Sequence, residues 1–92
     1  MLLDDIKLSL RISHTALDGE INDLIASARQ DLKVSGVSAL KVDETVDVDP
    51  LIKRAIITYC KANFTADNAD SERFQKSYDL LKMHLSLAGD YK

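Results

Sequence analysis

The chain has 92 residues, 46 % hydrophobic and 29 % charged, a balance that excludes a disordered polar segment and allows one domain with a modest core, burying about two-thirds of the unfolded chain's surface. One proline and three glycines are too few for an all-β protein full of tight turns, and a single cysteine excludes an intramolecular disulfide framework. A formal net charge of −3 argues against a general nucleic-acid binder, which needs a basic footprint.

The first predicted element is a short helix over residues 2–10. Leu3, Ile6, Lys7 and Leu10 share one face, flanked by Leu2 and Leu8, and Asp4 and Asp5 favour the positive end of the helix dipole. A helix this short must dock on something to persist in water. Residues 11–15 break the pattern. Thr15 with Asp18 offers a capping pair for the next helix, or Asp18 is itself the cap.

The second helix is predicted over about residues 16–34. Leu17, Ile21, Leu24, Ile25, Ala28 and Leu32 form a continuous apolar stripe, with Glu20, Asn22, Asp23, Ser27, Gln30, Asp31 and Lys33 mainly off it. Ala26 and Ala28 would admit a close helix neighbour. Gly36 can end the helix in the left-handed conformation.

Residues 37–49 read as a long connecting loop that touches the core through Leu40 and Val42, with Val46 a further contact. Four acids, Asp43, Glu44, Asp47 and Asp49, fall in its last seven residues. Loops of this length are commonly functional or disordered.

Asp49 then caps a central helix over about residues 49–64. Pro50 sits at the first helical position, where its missing N–H is not needed. Ile52, Ala55, Ile56, Tyr59 and Cys60 share a face, and Leu51 and Ile57 add apolar surface elsewhere, so burial from more than one side is expected. After a polar break with Asp67, Asn68 or Asp70 as cap, a last helix runs over about residues 69–87. Phe74, Tyr78, Leu81 and Leu85 line it, and Lys76 and Lys82 face water or a partner. Residues 89–92 read as a frayed end with Tyr91 exposed. The fold class is therefore all-α: a small bundle of three main helices plus a short N-terminal helix, with a long loop between the second and third.

Chemistry-bearing patterns are sparse. His14 and His84 stand far apart, and with Cys60 they cannot supply four zinc ligands. The DETVDVD stretch lacks the glycine and terminal glutamate of a calcium loop. Cys60 and His84 form the one Cys–His pair, but the apolar setting of Cys60 would raise its pKa. His84 is expected to be a partly buried packing or interface residue. The glycines are scattered, so no phosphate loop exists. No catalytic residue, cofactor or metal is expected. The chain opens without a basic, apolar leader and has no apolar run long enough for a membrane span, so reducing intracellular synthesis is the expectation. Basic residues on the last two helices leave open a small helical protein-interaction or DNA-binding regulatory module, although the turn between those helices is long and acidic for a helix–turn–helix reader.

The charge is uneven. Residues 1–49 hold ten acids and five bases, a balance of −5, and residues 50–92 hold five acids and seven bases, a balance of +2. Such a split would let the front of one copy meet the back of the next.

Four stretches resemble the head–tail connector (adaptor) proteins of tailed bacteriophages and prophages, also labelled DNA-packaging proteins. They are Leu3, Lys7, Leu10, Arg11 and Ile12; Asp18, Ile21, Leu24, Ile25 and Ala28; Pro50, Leu51, Ala55, Ile56 and Tyr59; and Tyr78 with Leu81. Most are packing positions. The resemblance implies a non-enzymatic helical subunit, located in the virion at the head–tail junction and in the host cytoplasm during assembly. It implies a homo-oligomeric ring of about a dozen copies below the portal protein, with tail completion proteins beneath and double-stranded DNA passing through unread. Family members draw the long loop and the termini into neighbour contacts, here residues 37–49 and 89–92. The candidate interface residues are Leu40, Asp43, Glu44, Asp47, Asp49, Lys53, Arg54 and Tyr91. An acidic loop facing the channel would keep DNA sliding, and contact with the portal is the simpler alternative.

Overall fold

Proline at a helix start and an aspartate before it set the central element. In the computed structural model, which describes residues 2–13, 15–64 and 70–92, Asp49 accepts hydrogen bonds through Oδ1 from the amides of Leu51 at 2.9 Å and Ile52 at 3.3 Å. The helices are α1 (Leu2–Leu10), α2 (Asp18–Val34), α3 (Ala39–Val42), α4 (Pro50–Asn63) and α5 (Ser71–Leu87), followed by a 3₁₀ turn at Gly89–Tyr91. No strand occurs among the described residues, and the all-α bundle agrees with the sequence pattern.

α4 packs against α1, α2 and α5. Its residues Ile52, Ala55, Ile56 and Cys60 have no exposed surface. They meet Ile6 from α1, Ile21, Ala28 and Leu32 from α2, and Tyr78 and Leu85 from α5 in one continuous core. Tyr59 stacks edge-on against Tyr78, with centroids 5.1 Å apart. Of the two alanines expected to admit a close neighbour, only Ala28 is buried, and Ala26 faces solvent.

Two helix ends use the same device. At the end of α2 the Val37 amide reaches back to the Leu32 carbonyl at 3.1 Å, with Gly36 at φ 100°. At the end of α1 the Ile12 amide reaches the Lys7 carbonyl at 2.9 Å, with Arg11 at φ 59°. Glycine suits this conformation, and a side chain there costs about 1 kcal/mol. In both, the next residue turns an apolar side chain toward the core: Val37 is buried and Ile12 partly so.

Several expectations change. α2 starts at Asp18 because Thr15 and Ala16 belong to a turn closed by the Asp18 amide on the Thr15 carbonyl. Neither Thr15 nor Asp18 caps the helix. Asp18 instead pairs with Lys7 at 2.8 Å and ties α1 to α2. Asp70 precedes α5 without a side-chain cap bond and lies 3.5 Å from Arg73. Asp67, Asn68 and His14 lie outside the described residues.

The connection after α2 is more ordered than a loop reading implies. Its four-residue helix α3 turns Val42 inward and leaves Leu40 88 % exposed, because positions two apart on a helix point nearly opposite ways. The core contacts are Val37 and Val42, with Val48 partly buried against the core, and not Leu40 or Val46. Tyr91 is not a frayed end either. Its carbonyl accepts from the Ser38 amide and its hydroxyl donates to the Asp49 carboxylate at 3.0 Å, so the tail is docked.

Candidate interaction surfaces

The acidic connection is built onto α2. Arg29 donates from Nε to the Val42 carbonyl at 3.1 Å and from its guanidinium to the Glu44 carbonyl at 3.3 Å. Lys33 pairs with Asp43 at 3.1 Å. Glu44 Oε1 accepts from the amides of Thr45 at 2.9 Å and Val46 at 3.0 Å. These amides, Val46 first, hold the Glu44 carboxyl below its usual range, so it stays ionised. Leu40, Glu44, Val46 and Asp47 all face solvent. Two large apolar side chains, Leu40 and Val46, are thus exposed on the same short segment as two acids.

Beside it, Asp49 serves two elements at once. It caps α4 and receives the Tyr91 hydroxyl, while Lys41 lies over the Tyr91 ring at 4.6 Å. Burial and the Asp49 carboxylate raise the Tyr91 pKa. Asp49→Ala is expected to destabilise the protein by about 1–2 kcal/mol, through the lost cap and the freed tail. Tyr91→Phe should cost less, since the cap survives. Urea denaturation of both variants, with amide exchange at Leu51 and Ile52, checks this.

A second surface lies along α4 and α5. Leu51, Ile57, Phe74, Leu80 and Leu81 line an open groove between α4 and α5, with Arg54 and Lys61 on it. Leu80 is 63 % exposed. Lys61 lies over the Phe74 ring at 5.3 Å. Lys53, adjacent to Arg54 in sequence, is turned away and pairs with Asp5 of α1 at 3.0 Å.

A third cluster joins α2 to α5. Tyr78 donates to Asp31 Oδ2 at 2.6 Å, and Lys82 reaches the same oxygen at 3.0 Å. Burial alone would push the Asp31 carboxyl up, but the bonds from Tyr78 and Lys82 outweigh it and the net shift is downward. Burial and then Asp31 push the Tyr78 hydroxyl well above its usual range. Asp31 was expected off the apolar stripe, and it is, but it bonds a partner instead of facing open water.

The eight residues proposed from sequence therefore fall into four places. Leu40, Glu44, Asp47 and Asp49 border one shallow depression, with Tyr91 bonded to Asp49. Asp43 is engaged by Lys33, Lys53 pairs with Asp5 of α1, and Arg54 lies on the α4–α5 groove. Arg29, which ties this connection to α2, was missed. Its partners lie 13 and 15 residues away and are carbonyls, which leave no mark in the sequence.

Little here suits chemistry. Cys60 has no exposed surface, and burial pushes its thiol up to about 12. His84 is exposed and so is not the packing residue that was one of its two expected places, because Leu81 and Leu85 take the inner face of α5; an interface place is compatible with that exposure. Buried Cys60 and exposed His84 thus occupy unlike settings. Among the described residues no three His, Cys, Asp or Glu side chains gather as metal ligands, and no described helix is long and apolar enough to cross a membrane.

A family model described as phage connector protein matches residues 2–92. No curated protein and no solved structure matches the chain. The match spans all five helices and the surfaces described above, and the chain belongs to the phage connector protein family, with the structural, virion-associated role that membership implies.

Proposed function

We propose that this protein is a non-catalytic subunit of the ring that joins the portal to the tail at the head–tail junction of a phage or prophage. The ring contains about a dozen copies, tail completion proteins dock beneath it, and double-stranded DNA passes through without sequence reading. The subunits gather in the host cytoplasm during assembly. The observation that carries this reading is the family match across residues 2–92. The geometry supports it in two ways. Large apolar side chains stay exposed, Leu40 and Val46 on the connection and Leu51 and Leu80 in the α4–α5 groove, which suits a subunit with neighbours. The bases of the last two helices are mostly spent on carboxylates: Lys53 on Asp5, Arg73 on Asp70, Lys76 on Glu72 and Lys82 on Asp31. That leaves a poor footprint for a DNA-binding regulator.

The test is the mass of the complex formed with the purified portal ring of the same phage or prophage. A stable complex holding about a dozen copies is expected. No association at any salt concentration would overturn the reading. A DNA titration run alongside should show weak binding that vanishes with modest salt.

A further inference from the structure

The groove between α4 and α5 combines exposed apolar surface with an unmatched positive charge. Leu51 and Leu80 stand exposed on it, and no carboxylate lines it. From Leu80 the apolar surface continues along α5. Met83 and Leu87 follow at steps of three and four, so the three share one helix face, and they are 54 % and 70 % exposed. Large apolar side chains gathered on an outer face mark a surface that another element covers. Lys61 is engaged over the Phe74 ring. Arg54 is exposed and makes no ion pair among the described residues. A cover for this face therefore needs apolar side chains and a carboxylate opposite Arg54.

This chain is a poor source of that cover. Leu8 is exposed next to Lys7, and Val34 next to Lys33, so these carry the wrong charge. Leu40 and Val46 have acids nearby, but Asp43 is held by Lys33 and Glu44 by the amides of Thr45 and Val46. Asp47 borders a depression that Val46 does not. We propose that the occupant is an acidic amphipathic helix of a different protein, laid along α5 with aliphatic side chains on Leu51, Leu80 and Leu87 and a carboxylate on Arg54. The span from Leu80 to Leu87 sets its contact at about two turns. A helix docked in this way is held by anchors three and four residues apart, while the charge pair fixes its direction and rejects basic competitors. That such a partner exists rests on the connector reading. The place and chemistry of the contact rest on the groove.

Photocrosslinking from the face tests this. In the full chain, p-benzoylphenylalanine replaces Leu80, whose exposure leaves room for a larger ring. The protein is irradiated with the purified portal ring and, separately, with the purified tail completion proteins of the same phage or prophage. A crosslink to one of these proteins is expected, mapped by mass spectrometry to a helix with a carboxylate within one turn of the attached residue. Arg54→Glu should weaken that complex about tenfold while melting like the parent, and Arg54→Lys should lose less. Crosslinks that are absent or confined to a second copy, in a portal complex of normal mass, would overturn the docking face and leave the connector reading standing. So would Arg54→Glu binding like the parent. A crosslink to a tail completion protein without any portal complex would do the reverse. Neither crosslinks nor complex would overturn both.

Discussion

Ile56→Ala is expected to destabilise the protein by about 3 kcal/mol, near the middle of the range for deleting a buried aliphatic side chain. Ile56 has no exposed surface and sits mid-way along α4, the helix that α1, α2 and α5 all pack against. A void there cannot be closed by one neighbour moving, because three elements would have to shift together. A domain of this size has about 5–14 kcal/mol of stability in all, so the loss is a large share of it. The melting temperature should drop by roughly 15 °C. Ile56→Val removes one methyl and should cost about 1 kcal/mol, which separates a cavity effect from a general intolerance of substitution. Thermal unfolding followed by circular dichroism measures both. A loss below about 1 kcal/mol for Ile56→Ala would mean that α4 is not the shared core helix.

The helices were legible because burial follows period. Ile52, Ala55, Ile56 and Cys60 recur at steps of three, one and four, and each is fully buried. Asp49 with Pro50, and Gly36 after α2, announced their ends by residue type alone. The failures have separate causes. α3 is one turn long, too short for a period, so Leu40 and Val42 looked equivalent when one is exposed and the other buried. Arg11 occupies a left-handed position that its residue type does not advertise. Tyr91 looked like a loose end because its partners, Ser38 and Asp49, lie 53 and 42 residues earlier in the chain. The candidate surfaces were half legible. The acidic run was visible in the sequence. The groove was not, since it is made where two helices separated by a polar break come side by side.

Asp31→Ala is the second large effect, expected at about 2 kcal/mol, and it divides into parts. The substitution strands the Tyr78 hydroxyl, which belongs to a residue with no exposed surface, and leaving a buried donor unpaired costs about 1–3 kcal/mol. It also removes the Lys82 pair. That pair is worth less, because the Asp31 side chain is 38 % exposed and solvent screens the charge. Asp31→Asn keeps an acceptor for Tyr78 and loses mainly the charge, so it should cost about half as much. Tyr78→Phe removes the donor and spares the ring packing on Tyr59. The double variant Asp31→Ala with Tyr78→Phe should then cost clearly less than the sum of the two, which identifies the bond as the coupling term. The pH dependence has a definite sign. The Asp31 carboxyl is lowered in the folded protein, so the ionised form is the stabilising one. Its contribution is complete above the ordinary aspartate range and fades as pH falls below about 4, through the folded value. The gap in stability between the parent and Asp31→Asn should therefore be constant from neutral pH down to mildly acid conditions and shrink below that. A gap that instead widened as the acid increased would show that burial, not the bonds from Tyr78 and Lys82, controls the carboxyl.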